Sequence, residues 1–204
     1  TMITHDLVGP FSELTKRKIG KIDYIINLAS LSDVESSIHD PVAFIQNNIW
    51  LTLNLLEYAR EVRPEAFIQF STDEVFGPTD GRDTYKEWVP MIPSNPYAAS
   101  KACQEMIGIS YWRTYGVPVI LTNNMNNFGP MQQDSKFPVM IQKAIEKGDE
   151  ITIHGEANGE IGSRSYIHSR NVADAVLFIL QNTEPYMHQP LVIDRPDCYN
   201  ISGD

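Results

Sequence analysis

Ile22-Asp-Tyr-Ile-Ile-Asn-Leu-Ala-Ser30 is the stretch that decides the fold. It is a nearly continuous apolar run ending in small residues, the pattern of a strand buried on both faces. Working outward, Ala66-Phe-Ile-Gln-Phe-Ser71 reads as a second strand and Val117-Pro-Val-Ile-Leu-Thr122 as a third. Helical stretches separate them. Pro41, tolerated in a first turn, opens a helix reaching Arg60. A second helix runs from Pro96 to Tyr115. A third spans Phe137 to Lys147 and stops at Gly148. Asn171 is placed to cap a fourth, through Leu180. Residues 75–95 carry Pro-containing turns and charges and read as a long loop. Short strands are expected at residues 150–154, 165–168, 191–194 and 199–202. This alternation predicts an α/β fold, a doubly wound parallel sheet with helices on both faces. Ligands of such sheets bind outside the carboxyl ends of the strands. Residues 29–32, 71–74 and 123–127 would line that rim.

Composition narrows the function. The chain has 204 residues, 42% of them apolar, enough for one core or a core plus a small appendage. Its formal net charge of −10 speaks against nucleic acid as a partner. An anionic substrate would need a local basic pocket, for which Lys136 and Arg164 are available. No apolar run approaches the roughly 18–20 residues of a membrane span, so no membrane is expected. The first residues lack the pattern of a signal peptide. Cys103 and Cys198 read as reduced thiols of a cytoplasmic protein, with Cys103 packed in its helix. The histidines show no metal-ligand spacing, and no metal site is expected. Helices 41–60 and 96–115 carry apolar residues around most of their circumference, which predicts burial all round. One side packs on the sheet. The other is covered either by a partner subunit or by another segment of the same chain.

Three clusters could carry chemistry. Tyr97 and Lys101 stand one helical turn apart on one face. The ammonium should lower the phenol pKa and make Tyr97 usable as a base. Asp73 and Glu74 follow a buried strand in Ser71-Thr-Asp-Glu-Val-Phe-Gly77, and two carboxyls in one site can divide acid and base roles. Asn123-Asn-Met-Asn-Asn127 is dense in amides, suited to a sugar or carboxamide ligand. Each cluster also has a bland reading, as a surface pair, an acidic turn or an Asn-rich turn.

Taken together, Asn27-Leu-Ala-Ser30, residues 71–77, Asn95-Pro-Tyr-Ala-Ala-Ser-Lys101, Asn126-Asn-Phe-Gly-Pro130, Arg164-Ser-Tyr-Ile-His168 and Tyr199-Asn-Ile-Ser-Gly203 resemble the extended short-chain dehydrogenase/reductase superfamily. Within it the chain is similar to the nucleotide-sugar 4,6-dehydratases. The resemblance implies a Rossmann-like fold with NAD as cofactor. It implies an incomplete NAD-binding domain over residues 1–130 and the start of a substrate-binding region over 131–204, interleaved with the last strands. The family's Gly-rich loop and its later residues have no counterpart here. The chain therefore reads as an internal segment of a longer enzyme that binds NAD poorly alone. Residues 1–7 look like the family's third strand.

The resemblance also implies roles. Tyr97, assisted by Lys101, removes the 4-hydroxyl proton of a nucleotide-linked hexose while hydride passes from carbon 4 to NAD. Thr72 holds the 4-oxygen, Glu74 takes the carbon-5 proton and Asp73 protonates the leaving 6-hydroxyl. Asp6, Leu7, Leu28, Ala29, Ser30, Asn47, Ser71, Tyr97, Lys101 and Asn127 would line the NAD site. Ser32, Thr72, Asn126, Lys136, Phe137, Arg164 and Asn200 would meet the nucleotide sugar, with thymidine the preferred base. A homodimer through helices 41–60 and 96–115 is implied as well. Leu31, Asn47 and Asn171 depart from the family's usual Glu, Thr and Asp, which bears on substrate preference. A nucleotide-sugar 4-epimerase or decarboxylase, or a non-catalytic NAD-binding remnant, are the alternatives.

Overall fold

The structure, a computed structural model, describes residues 1–79, 84–134, 136–153, 159, 161–183 and 195–203. In chain order these form α1 (Glu13–Ile19), β1 (Tyr24–Asn27), α2 (Val34–His39), α3 (Pro41–Val62), β2 (Ala66–Thr72), a 3-10 turn (Asp73–Phe76), α4 (Pro96–Tyr115), β3 (Val119–Asn124), β4 (Asn126–Phe128), α5 (Phe137–Lys147), β5 (Tyr166–His168), α6 (Ser169–Asn182) and β6 (Asp197–Ile201). They fall into two compact units, Thr1–Asn124 with Leu180–Asn200, and Met125–Ile179 with Ile201–Asp204.

The first unit holds a sheet of order β1-β2-β3-β6. Parallel pairing sets Ile26 beside Ile68, Ile68 beside Ile120 and Thr72 beside Asn124. The expected α/β architecture with a parallel, Rossmann-like sheet is what forms. Every residue of β3 is buried, as are Phe67 and Ile68 of β2, which is why these strands read as unbroken apolar runs. β1 differs from expectation. Ile25 and Asn27 are buried, but Tyr24 and Ile26 are exposed, so this strand is covered on one face only. Leu56, Phe67 and Trp112 are fully buried where α3, β2 and α4 meet.

Helix ends are set by local chemistry. The Asp40 carboxylate accepts the Ala43 N–H at 3.1 Å ahead of Pro41, and the Asn95 Oδ1 accepts the Ala98 N–H at 2.8 Å ahead of Pro96. Gly116, at φ 68°, ends α4 with its N–H on the Trp112 carbonyl. Asn171 is not a cap. α6 starts at Ser169 directly after β5, and the His168 Nδ1 accepts the Arg170 N–H at 3.1 Å in its place. α1 and α2 were not expected; both are single short helices capped by Ser12 and Asp33. Residues 150–153 form no strand, because no described strand pairs with them. His154 and the strand expected at 191–194 lie outside the described residues. So do residues 1–6 depart from expectation, since they form no strand.

Within this chain the two long helices are covered on one side only. Val42 and Trp50 of α3 and Met106 of α4 are exposed, and so is Cys103. The buried side of α4 is largely polar instead: Ser100, Lys101, Gln104 and Glu105 lie there with Ala98, Gly108 and Trp112. A dry seam of amides joins sheet and helices. Asn27 Nδ2 donates to Gln69 Oε1 at 2.9 Å, Gln69 Nε2 to Gln104 Oε1 at 3.2 Å, and Gln104 Nε2 to the Asn48 carbonyl at 2.9 Å. Asn48 Nδ2 donates in turn to Ser100 Oγ at 2.8 Å. Pairing of this kind makes buried polar groups tolerable.

The second unit is built on β4 and β5, paired in parallel with Asn126 beside Tyr166. Ile167, Val172, Val176, Ile179 and Ile201 are its buried apolar residues. No helix of the described residues is long and apolar enough to cross a membrane.

Candidate active site

β2 ends in two buried hydroxyls, Ser71 and Thr72. Thr72 then caps the 3-10 turn: its Oγ1 accepts the Glu74 N–H at 3.3 Å and donates to Asp73 Oδ1 at 3.2 Å. The turn closes at Gly77, whose φ of 82° favours glycine, and a Cβ there would collide with the Ile92 carbonyl oxygen. The returning loop is tied down where the Ile92 N–H donates to the Val75 carbonyl at 3.0 Å. Asp73 and Glu74 are thus held half-buried at the carboxyl end of the strand. Asn95 serves two elements at once. Its Oδ1 caps α4, and its Nδ2 donates to Glu74 Oε2 at 3.0 Å.

Tyr97 stands in the first turn of α4, where its N–H donates to Ser37 Oγ at 3.2 Å. Its side chain hydrogen-bonds Thr72 and feels the charges of Glu74 and Asp73. Burial, foremost, and the Glu74 carboxylate push the phenol well above its ordinary pKa; the Thr72 hydrogen bond pulls the other way, and Asp73 adds to the rise. The expected lowering by Lys101 is overturned. Lys101 is buried, and its Nζ donates to the Phe70 carbonyl at 2.6 Å, so its charge is spent on the β2 backbone. Burial lowers the Lys101 pKa to about 8, opposed by the Glu105 carboxylate one turn further along α4.

Glu105 escaped the sequence reading, though Tyr97, Lys101 and Glu105 share one helix face at successive four-residue steps. It is almost fully buried. Its Oε1 accepts from Ser71 Oγ and from Asn123 Nδ2, the latter at 2.9 Å. Burial raises its pKa to about 7, while the Ser71 and Asn123 hydrogen bonds and Lys101 work against the rise. Asn95 and the seam residues Asn48, Gln69 and Gln104 were missed as well. A polar residue inside an apolar helix was the available signal.

Asp6 Oδ1 accepts the Val8 N–H at 3.1 Å, and Asn54 Nδ2 donates to the Leu7 carbonyl at 2.9 Å, fastening this segment to α3. Asn27 Oδ1 accepts the Ala29 N–H at 3.1 Å and so shapes the turn after β1, where Leu28 is exposed and Ala29 and Ser30 are half-buried. Asn47 Nδ2 donates to Asn48 Oδ1 at 3.0 Å; Ser32 is exposed. Asn200, on β6, donates from Nδ2 to the Tyr85 carbonyl at 3.0 Å, while its Oδ1 is buried without a hydrogen-bond partner. Asn126, Asn127, Lys136, Phe137 and Arg164 belong to the second unit. There Asn126 Nδ2 donates to the Ser165 carbonyl at 3.3 Å and the Asn127 carbonyl accepts from Gln132 Nε2 at 2.8 Å. Lys136 precedes the first turn of α5, Phe137 is exposed, and Arg164 is exposed with Nη1 on the Ser163 carbonyl at 3.1 Å. The described residues contain no group of His, Cys, Asp and Glu side chains able to hold a metal ion.

The rim fits a dinucleotide. The buried Lys101 ammonium has three N–H donors and uses one on Phe70, leaving donors for sugar hydroxyls, and the exposed Leu28 beside Ala29 offers an apolar edge to a flat ring.

A parallel sheet with a tyrosine, a buried lysine and carboxylates at its carboxyl edge defines a class of nucleotide-cofactor enzymes. The chain belongs to the NAD dependent epimerase/dehydratase family, whose pattern matches residues 11–200. Among curated relatives, it is 33% identical over 165 residues to human dTDP-D-glucose 4,6-dehydratase, covering 81% of this chain and 46% of the relative. It is 38% identical over 144 residues to the dTDP-glucose 4,6-dehydratase of Xanthomonas campestris, covering 66% and 41%. The chain thus spans less than half the length of these two relatives. Among solved structures it resembles a dTDP-glucose 4,6-dehydratase from Streptomyces venezuelae with NAD bound, at 27% identity and a TM-score of 0.77, covering 91% of this chain and 53% of that one. It resembles equally a UDP-N-acetylglucosamine 4-epimerase from Methanobrevibacter ruminantium, at 27% identity and a TM-score of 0.80, covering 99% and 61%.

Proposed function

We propose that the protein is an NAD-dependent nucleotide-sugar 4,6-dehydratase, with dTDP-glucose its best substrate. One observation carries the proposal: the Tyr97 side chain lies within hydrogen-bonding reach of Thr72 and within electrostatic reach of Glu74 and Asp73, which supports placing phenol and carboxylates at one reacting centre. An epimerase needs the tyrosine and lysine but has no task for two carboxylic groups beside them.

NAD bound along the rim would accept hydride from carbon 4 of the hexose and return it to carbon 6. The chain's own residues supply the proton chemistry. Tyr97, which burial and the Glu74 carboxylate keep protonated in the chain alone, would remove the 4-hydroxyl proton once the cationic ring of bound NAD lies beside it, and Thr72 Oγ1 would orient the oxygen that loses it. Glu74, aimed by Asn95, takes the proton of carbon 5, which the neighbouring ketone has made acidic, and would give it back to carbon 5 when hydride reaches carbon 6. Asp73 delivers a proton to the 6-hydroxyl as it leaves as water. Lys101 holds hydroxyls of the cofactor ribose with its free donors. The family resemblance assigns Asp6, Leu7, Leu28, Ala29, Ser30, Asn47 and Ser71 of the first unit to the cofactor. It assigns Asn126, Lys136, Phe137 and Arg164 of the second unit to the nucleotide sugar, with Arg164 on its diphosphate. On this reading the first unit is the larger part of a cofactor-binding domain and the second begins the substrate region. The exposed sides of α3 and α4, bearing Trp50 and Met106, would meet a second copy in a homodimer of the cytoplasm.

The test is product identity. The full-length form of the protein, given dTDP-glucose, is expected to yield the 4-keto-6-deoxy sugar by mass spectrometry, with Asp73→Asn and Glu74→Gln each losing it. The similarity to a 4-epimerase at a TM-score of 0.80 supports the second reading, epimerisation at carbon 4. A 4-epimer with no loss of water establishes that reading and removes the first.

A further inference from the structure

The carboxylate of Glu105 has no role in the chemistry just described, yet it sits beneath it. It is reached from four directions. Lys101 precedes it by one turn of α4. Ser71 donates to it from β2 and Asn123 from β3. From β6, Cys198 lies close enough to feel its charge, and the Cys198 Sγ donates to Asn123 Oδ1 at 3.1 Å. Arg195, Asp197 and Glu87 surround Cys198 in turn. Both hydrogen bonds to Glu105 fall on Oε1. Its Oε2 is buried with no hydrogen-bond partner.

We propose that Glu105 is a positioning residue that fastens α4 to the carboxyl ends of β2 and β3 and keeps the buried Lys101 ammonium charged. This rests on the assignment of Lys101 to the reaction made above. One geometric fact and one electrostatic fact support it. Ser71 immediately precedes Thr72, Asp73 and Glu74, so the bond from Ser71 to Glu105 sets where that triplet leaves the strand. Among the described residues Glu105, one turn along α4, is the anion that acts on Lys101, while burial favours its neutral form. Without Glu105 the ammonium would be held only by the Phe70 carbonyl, a dipole, inside a dry interior. The two groups form one coupled acid–base pair whose titration belongs to both.

The sign of the effect is fixed by this arrangement. Removing the carboxylate removes the influence that raises the Lys101 pKa, so Lys101 loses its proton at lower pH. Glu105→Gln keeps the shape and can still accept from Ser71 and Asn123, but it carries no charge. The experiment compares full-length wild type and Glu105→Gln, reading the pH dependence of the first hydride transfer as reduced cofactor formed on mixing with substrate. The alkaline limb is expected to move to lower pH by about one unit, with the bound-cofactor stoichiometry unchanged. Glu105→Asp is expected to return the limb toward its wild-type position. Asn123→Ala, which weakens Oε1 as an anion, is expected to shift it in the same direction by less, and serves if Glu105→Gln does not fold. A limb that stays in place in Glu105→Gln, or moves to higher pH, overturns the proposal. The first hydride transfer is common to dehydration and epimerisation. Failure of the dehydratase assignment would therefore appear in the product and not in the limb.

Discussion

Asn95 offers the sharpest single perturbation, because one amide performs two separable tasks. Its Oδ1 satisfies the Ala98 N–H at the start of α4, and its Nδ2 donates to Glu74 Oε2. An N-cap is worth roughly 1 kcal/mol, in a range of about 0.5–2. A hydrogen bond to an ionised acceptor is worth about 1.5–3 kcal/mol, which corresponds to roughly ten- to a hundredfold if it is felt in the transition state. Asn95→Ala removes both. It should cost about 1 kcal/mol in urea denaturation and at least tenfold in kcat/KM for the full-length enzyme. Asn95→Ser retains a capping oxygen but cannot reach Glu74. Its stability should stay within about 0.5 kcal/mol of wild type while turnover falls as in the alanine variant. Asn95→Asp also keeps the cap, but sets an anion against Glu74 and should lose at least as much activity. Equal turnover in wild type and Asn95→Ser would refute the idea that Asn95 aims a catalytic carboxylate. Unchanged stability in Asn95→Ala would refute the cap.

Other expectations follow from the same geometry. The Lys101 pKa falls from 10.5 to about 8 on burial, so the folded state binds fewer protons between those values and stability rises with pH across that window. Lys101→Met should abolish turnover and remove that rise of stability with pH, as urea denaturation between about pH 8 and 10.5 would show; a rise of the same size in the variant counts against the burial cost. Gly77→Ala should cost about 1–3 kcal/mol, since positive φ and the Ile92 carbonyl both oppose a Cβ; thermal melts would show it. Leu56→Ala, at a site with no exposure, should cost about 2–5 kcal/mol with no shift in the pH profile of the remaining folded enzyme.

The parts of the molecule that the sequence disclosed are those governed by local rules. β2 and β3 are apolar on both faces because helices and neighbouring strands cover them, and that leaves a plain run of letters. Pro41 and Pro96 announce first turns, and Gly148 announces an end, through local backbone restrictions. The Ser71–Glu74 turn and the Tyr97–Lys101 pair were visible as spacing. What escaped was decided by partners distant in sequence. The inner face of α4 is polar because Gln104 finds Gln69 and Glu105 finds Ser71, and no periodicity of apolar residues registers such meetings. The direction of the Tyr97 shift was misjudged for a similar reason. Spacing shows that Lys101 is near, but not that Phe70 claims its ammonium while Glu74 and Asp73 face the phenol. Residues 150–153 carry a strand-like alternation, and a strand needs a neighbour that the sequence alone cannot supply.

The amide seam restricts how this protein can change over generations. Gln69 and Gln104 each complete the other, so exchanging either for leucine strands a donor or acceptor where water cannot reach it. Viable drift there must replace both together, or neither. Helix α4 is thereby keyed to the sheet like a ward in a lock, able to seat in one register only, which is a safeguard that a smooth greasy contact of the same area would not provide.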